Sequence, residues 1–225
     1  MTGAALREAR HHAGMSQVEA AECLGVSQTL LSLMEKGERS VTPAIAQRVV
    51  AQFDASPVEL PVSAQTHHGD QRLAEDLGAL GFPGYRYLQG TPRNPAEVLL
   101  DALDRSDLDA RLVEALPWLP LQYPEMNWNW LMAQVKLRNR QNRLGFVVAL
   151  ARKAAMRQGK YETVKQLAEP LSLLEEARLA KADTLCQESW PPSQRQFAHR
   201  FRSRLATHWN LDTRLTEDHL VEPAA

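Results

Sequence analysis

The sequence predicts an all-α protein of two domains, a small N-terminal helical bundle followed by a larger C-terminal helical domain. Three observations point there. Two segments, each opened by a serine and closed by a glycine, follow one another within residues 16–37. Helical periodicity recurs in about six stretches beyond residue 70, with no convincing strand alternation. A polar, proline-bounded break at 61–71 divides the two regions.

Composition sets the limits. At 225 residues and 44% hydrophobic content, the chain can bury one good core or two modest ones. Its longest apolar run, Phe146 to Ala151, falls far short of the roughly 18 residues of a membrane helix. Met1-Thr2-Gly3 leads directly into a charged amphipathic segment without a signal-peptide pattern, so the expectation is a soluble, cytoplasmic protein with no membrane partner. Cys23 and Cys186 are far apart and lack companion ligands, which argues for two buried thiols rather than a disulfide or a zinc site. The net charge is −1, but the charge is segregated. Lys and Arg against Asp and Glu number 5 to 7 in residues 1–62, 5 to 10 in 63–125, 8 to 0 in 126–161 and 4 to 0 in 189–211. The acidic and basic segments can meet each other, a nucleic acid or a partner protein.

In chain order, a first helix is expected from Ala4 to His12. Ser16 with Glu19 forms a capping-box pattern, which starts a second helix at Gln17, and Gly25 ends it. Ser27 caps a third helix of about nine residues, for which Gly37 supplies a left-handed stop. Only Gly25-Val26 separates the two, which makes a helix-turn-helix. At about 100° per residue, Gln28, Thr29, Ser32, Leu33 and Lys36 share an arc of roughly 140°, with Leu30, Leu31 and Met34 opposite. One face packs and the other is free to read. A fourth helix, Pro43 to Phe53, closes the bundle. Its core is expected from Leu6, Ala20, Leu24, Leu31, Met34, Ile45, Val49 and Phe53. Residues 1–62 form this domain, 63–71 a linker and 72–220 the second domain.

The stretch LREARHHAGMSQVEAAECLGVSQTLLSLMEKGERSVTPAIAQRVVAQF resembles the Cro/cI-type (Xre) helix-turn-helix regulators, whose domain is the lambda-repressor-like bundle. Ser16-Gln17, Gly25-Val26-Ser27-Gln28 and Glu35-Lys36-Gly37 carry the resemblance, which covers residues 3–60. It implies binding of double-stranded DNA, usually as a homodimer on a two-fold related site. By resemblance, Gln17 contacts a phosphate, while Gln28, Thr29, Ser32 and Leu33 contact bases or the groove, and Lys36 and Arg39 contact the backbone. The repeated Ser-Gln then has a physical meaning. A helix N-terminus suits a phosphate, and a glutamine beside it braces that contact or bonds adenine bidentately. Leu33 stands where family members often carry a polar or basic residue, so it can make only apolar contact, for instance with a thymine methyl. The domain is slightly acidic, so helix dipoles and dimerisation must supply part of what net charge does not.

The C-terminal region resembles no family we can name. Helical patterns run near 71–80, 94–104, 107–119, 128–158, 161–188 and 193–207, separated by FPGYRY, QGTPRN and SWPPSQ. Leu137, Leu144, Val148, Ala151 and Ala155 make an apolar stripe, but RNRQNR at 138–143 is polar all round. Either the helix breaks near 139–142 or a polar cluster is held there. On a continuous helix Lys136, Arg140 and Arg143 would share an arc of about 60°. With Trp128 and Trp130 they would make a basic, aromatic nucleic-acid surface. The preferred alternative is a solvated basic face answering the acidic 63–125 segment.

His11-His12 and His67-His68 lack metal-site spacing, and His208, Asp212 and His219 fit surface or capping roles better than a metal site. Trp118, Trp190 and Trp209 read as packing anchors. No phosphate-binding glycine loop, nucleophile elbow or self-cleaving Ser-Lys pattern is present, so neither catalysis nor a cofactor is expected. The expectation is a sequence-specific DNA-binding transcription regulator, a repressor acting as a dimer through its C-terminal domain. One alternative is an antitoxin-like protein that neutralises a partner protein and autoregulates its operon. A second is a helical enzyme or RNA-binding unit with an accessory DNA-binding domain.

Overall fold

The computed structural model describes residues 1–64 and 69–219. His67, His68 and most of the expected linker's middle lie outside the described residues. The chain divides into two compact units, residues 1–63 with 91–94, and residues 64–90 with 95 onward. The return of 91–94 to the first unit was not expected. There the Asn94 side-chain amide donates to the carbonyls of Val58 and Leu60 (2.8 and 2.7 Å), and Gln47 Nε2 donates to that of Pro92 (3.0 Å).

In the first unit, α1 (Gly3–His12), α2 (Gln17–Leu24), α3 (Gln28–Glu35) and α4 (Pro43–Phe53) each start at a side-chain cap. Thr2, Ser16, Ser27 and Thr42 accept the amides of Ala5, Glu19, Leu30 and Ile45. Glu19 Oε2 returns to accept Ser16 N at 2.8 Å, completing the capping box. Gly25 closes α2 in the left-handed region (φ +63°), where a side chain would be strained. The chain leaves α3 at Lys36, so α3 is slightly shorter than expected. All eight expected core residues are buried together, and Ala9 and Ala21 join them. Cys23, expected to be buried, is exposed. The buried face of α2 is made by Ala20, Ala21 and Leu24, and Cys23 lies outside their arc.

The second unit contains α5 (Asp70–Ala79), α6 (Pro95–Asp104), α7 (Ala110–Ala115), α8 (Trp118–Gln122), α9 (Trp128–Leu137), α10 (Gln141–Arg157), α11 (Tyr161–Gln166), α12 (Ala168–Glu176), α13 (Pro192–Arg200) and α14 (Arg204–His208). Helix α5 begins inside the span read as linker. A two-residue parallel pair, β1 (Asp183–Thr184) and β2 (Leu211–Asp212), joins two loops. Helix α10 is the centre of this unit. It is buried at every position from Gln141 to Ala151 and packs against α8, α9, α11, α12 and α14. Gly145 admits the ring of Trp209, which is fully buried; a Cβ there would lie 2.2 Å from the indole.

Several long helical patterns are broken. The span 128–158 parts between α9 and α10, as one of the two readings of its polar run expected, at Asn139, which takes φ +56°, a conformation asparagine tolerates better than most residues. The break changes the helical phase, so Leu137 is exposed while Leu144, Val148, Ala151 and Ala155 are buried. The span 107–119 splits at Pro117. The span 161–188 stops being helical after Glu176. The span 193–207 is interrupted where Ser203 caps a new helix by accepting Ala206 N (3.1 Å).

Candidate nucleic-acid interface

The geometry of the reading face begins behind it. Leu31 and Met34 are buried and Leu30 packs against the same core, which fixes how α3 is rotated. Gln28, Thr29, Lys36 and Arg39 are exposed, and Ser32 and Leu33 are half-buried. Gln28, Ser32 and Lys36 form an i, i+4 row along the outside of α3. Thr29, Leu33 and Arg39 instead line a cleft of about 640 Å3 shared with Ser40 and Thr42. The expected groove-facing residues are therefore brought together on two adjoining strips.

Gln17 sits at the first position of α2, half-buried. Its Nε2 donates to Glu35 Oε2 at 2.8 Å. That carboxylate also accepts from Arg10, with Nε to Oε1 at 2.6 Å and Nη2 to Oε2 at 3.2 Å. Arg10 Nη1 donates to the Met15 carbonyl at 2.8 Å. The Arg10 and Glu35 side chains are only 7% and 3% exposed, so this ion pair is nearly dry. Burial pushes the Glu35 carboxyl up, but hydrogen bonds from Arg10 and Gln17 and the charge of Arg10 outweigh it, and the net shift is downward. One carboxylate thus ties α1, α2 and α3 together and orients Gln17 beside the first turn of α2. The capping box occupies the amides of Ser16 and Glu19, which leaves those of Gln17 and Val18 as the outward donors of that turn.

A family model described as a helix-turn-helix domain matches residues 3–62. Residues 3–62 are a helix-turn-helix domain. No curated protein and no solved structure matches the chain, and the C-terminal unit is not recognised. In the helix-turn-helix domain, Arg10 and Glu35 went unnoticed in the sequence as a structural pair. The signal was present. Arg10 follows Leu6 by four residues and Glu35 follows Leu31 by four, so each charge falls on a buried stripe, where a charge needs a partner.

The basic trio does not form a surface. Lys136 is exposed on α9, whereas Arg143 is fully buried at the start of α10. Each of the five Arg143 donors is used. Nε and Nη2 bond Asp183 at 2.8 Å each, Nη2 bonds Glu188 at 2.7 Å, and Nη1 bonds the carbonyls of Leu103 and Arg105 at 3.0 and 2.6 Å. Burial works against its charge, but the bonds to Asp183 and Glu188 more than offset that, and its pKa moves up. Arg140 lies among Asp104, Asp183 and Glu188. The acidic 63–125 segment therefore answers these arginines through Asp104 and, at longer range, Asp107, and the direct ion pairs of Arg143 come from 183–188. The grouping of His208, Asp212 and His219 is also dispersed. His208 pairs with Glu175, Asp212 with His199 and Arg202, and His219 with Thr216. Among the described residues no helix is long and apolar enough to cross a membrane.

Proposed function

We propose that the chain is a sequence-specific DNA-binding transcription regulator of the Xre type, a repressor that acts as a homodimer and performs no catalysis. The observation that supports this reading best is the polar row Gln28, Ser32 and Lys36, presented on a helix whose rotation is set by buried Leu31 and Met34. Its neighbour Gln17 is held in place by the Arg10–Glu35 pair. Such a helix enters the major groove with its base-reading side chains pre-oriented, while the first turn of α2 and Gln17 settle on a phosphate. Lys36 and Arg39 add backbone contacts at the far end of the helix. Affinity from a domain with 5 basic against 7 acidic residues is small, so two copies on adjacent half-sites supply what one lacks. Footprinting of the protein on its own promoter tests the proposal: a two-fold related protected site with half-sites one DNA turn apart is expected.

A further inference from the structure

The second unit carries a cavity of about 600 Å3 beside the α9–α10 break, walled on its other side by residues 179–195. Three carboxylates line it, and each is engaged within the protein. Asp183 holds Arg143 through both oxygens and also accepts Thr184 N. Glu188 Oε1 holds Arg143, and Asp212 Oδ1 accepts from Arg202 and pairs with His199.

The cations on the same wall are differently placed. Arg138 spends its donors on Asp104, Gln134 and the Ala64 carbonyl. Arg140 comes no closer than 3.3, 3.5 and 3.7 Å to Glu188, Asp183 and Asp104, looser than a charge-assisted hydrogen bond, and its buried Nε has no hydrogen-bond partner. Lys181 is exposed on the rim with no carboxylate partner among the described residues, and Arg195 donates only to the carbonyls of Trp190 and Glu188. The unspent donors of the cavity are therefore cationic, while Glu188 Oε2 and Asp212 Oδ2 are acceptors without a hydrogen bond among the described residues.

We propose that this cavity binds a small molecule bearing an anionic oxygen group, a carboxylate or a phosphate, held by Arg140, Lys181 and Arg195. Its volume suits a metabolite-sized ligand and is too small for a macromolecule. A bound anion would bridge the start of α10 to the 179–195 segment. Only the consequence rests on the regulator reading: there the molecule is an effector. The binding itself does not.

The test is isothermal titration of the intact chain, without DNA, with inorganic phosphate and separately with succinate at constant ionic strength in chloride. Saturable one-site binding of at least one of them is expected, and the stronger binder identifies the ligand class. Arg140→Gln should weaken it about ten- to a hundredfold, the effect of losing a charge-assisted hydrogen bond. Lys181→Gln should weaken it several-fold, and because Lys181 is exposed, that variant keeps the test valid if Arg140→Gln misfolds. Absence of saturable binding by both anions overturns the proposal. So does wild-type affinity in both variants, including the case where Arg140→Gln lowers the melting temperature equally with and without anion. Because no DNA is present, failure of the DNA-binding reading leaves this result intact.

Discussion

Replacing Arg10 with methionine isolates the device that aligns the reading helix. The substitution keeps much of the side-chain volume but leaves Glu35, 3% exposed, with Gln17 as its remaining side-chain donor. Removing one partner of a buried pair costs about 3–5 kcal/mol. A domain of this size is stable by only about 3–9 kcal/mol, so most of its stability should be lost. In native-state hydrogen exchange of the intact chain, amide protection across α1–α4 should fall by roughly two to three and a half orders of magnitude, while α10 keeps its protection. The pH dependence should also change sign. In the wild type the Glu35 pKa is depressed, so its contribution is present above the ordinary glutamate range and is lost as pH falls through the depressed value. Without Arg10, burial dominates and raises that pKa, so acidification through the raised value should stabilise the variant. Arg10→Met with Glu35→Leu should recover much of the loss. A fall in protection below about tenfold, or an unchanged pH dependence, would refute the view that this pair holds the three helices together.

Gly145→Ala drives a Cβ into Trp209 and should destabilise the second unit by about 1–3 kcal/mol, read as a lower melting temperature with a perturbed tryptophan near-UV signal. Arg143→Met strands Asp183 and Glu188 and should cost about 3 kcal/mol or more in denaturant titration of that unit. Lys36→Gln and Arg39→Gln should each reduce the slope of log K against log salt for operator binding by about one unit, whereas Lys136→Gln should leave it unchanged. Sedimentation of the intact chain should show a dimer, and a monomer protecting one half-site would remove the dimer from the account.

The helix-turn-helix domain was legible because its signals are local. Ser16 with Glu19, Ser27, and the glycines at 25 and 37 set caps and stops within a few residues, and the apolar spacing of Leu31 and Met34 sets the rotation of α3. The second unit was harder to read because its decisive partners are distant. Arg143 looked like one of a basic row, yet its carboxylates lie 40 and 45 residues further on. The break at Asn139 has no glycine or proline to announce it, so the polar run 138–143 offered it only as one of two readings. Trp209 was readable as an anchor, but its seat on Gly145 was not, since nothing local distinguishes that glycine from a tolerated helical one. The cavity at the break, whose walls come from segments far apart in the chain, was invisible in the pattern.

The central claim is that the outer row of α3 reads DNA. Gln28→Ala with Ser32→Ala removes two side chains of that row, with Leu31, Met34 and the Arg10–Glu35–Gln17 bonds untouched. Quantitative footprinting on the operator, beside circular dichroism of the same samples, is the direct measurement. The account predicts unchanged helical content and a loss of specific affinity of about 1–3 kcal/mol for each good base contact removed, enough to abolish the specific footprint at concentrations where the wild type saturates it. A double variant that protects the operator as the wild type does would contradict it.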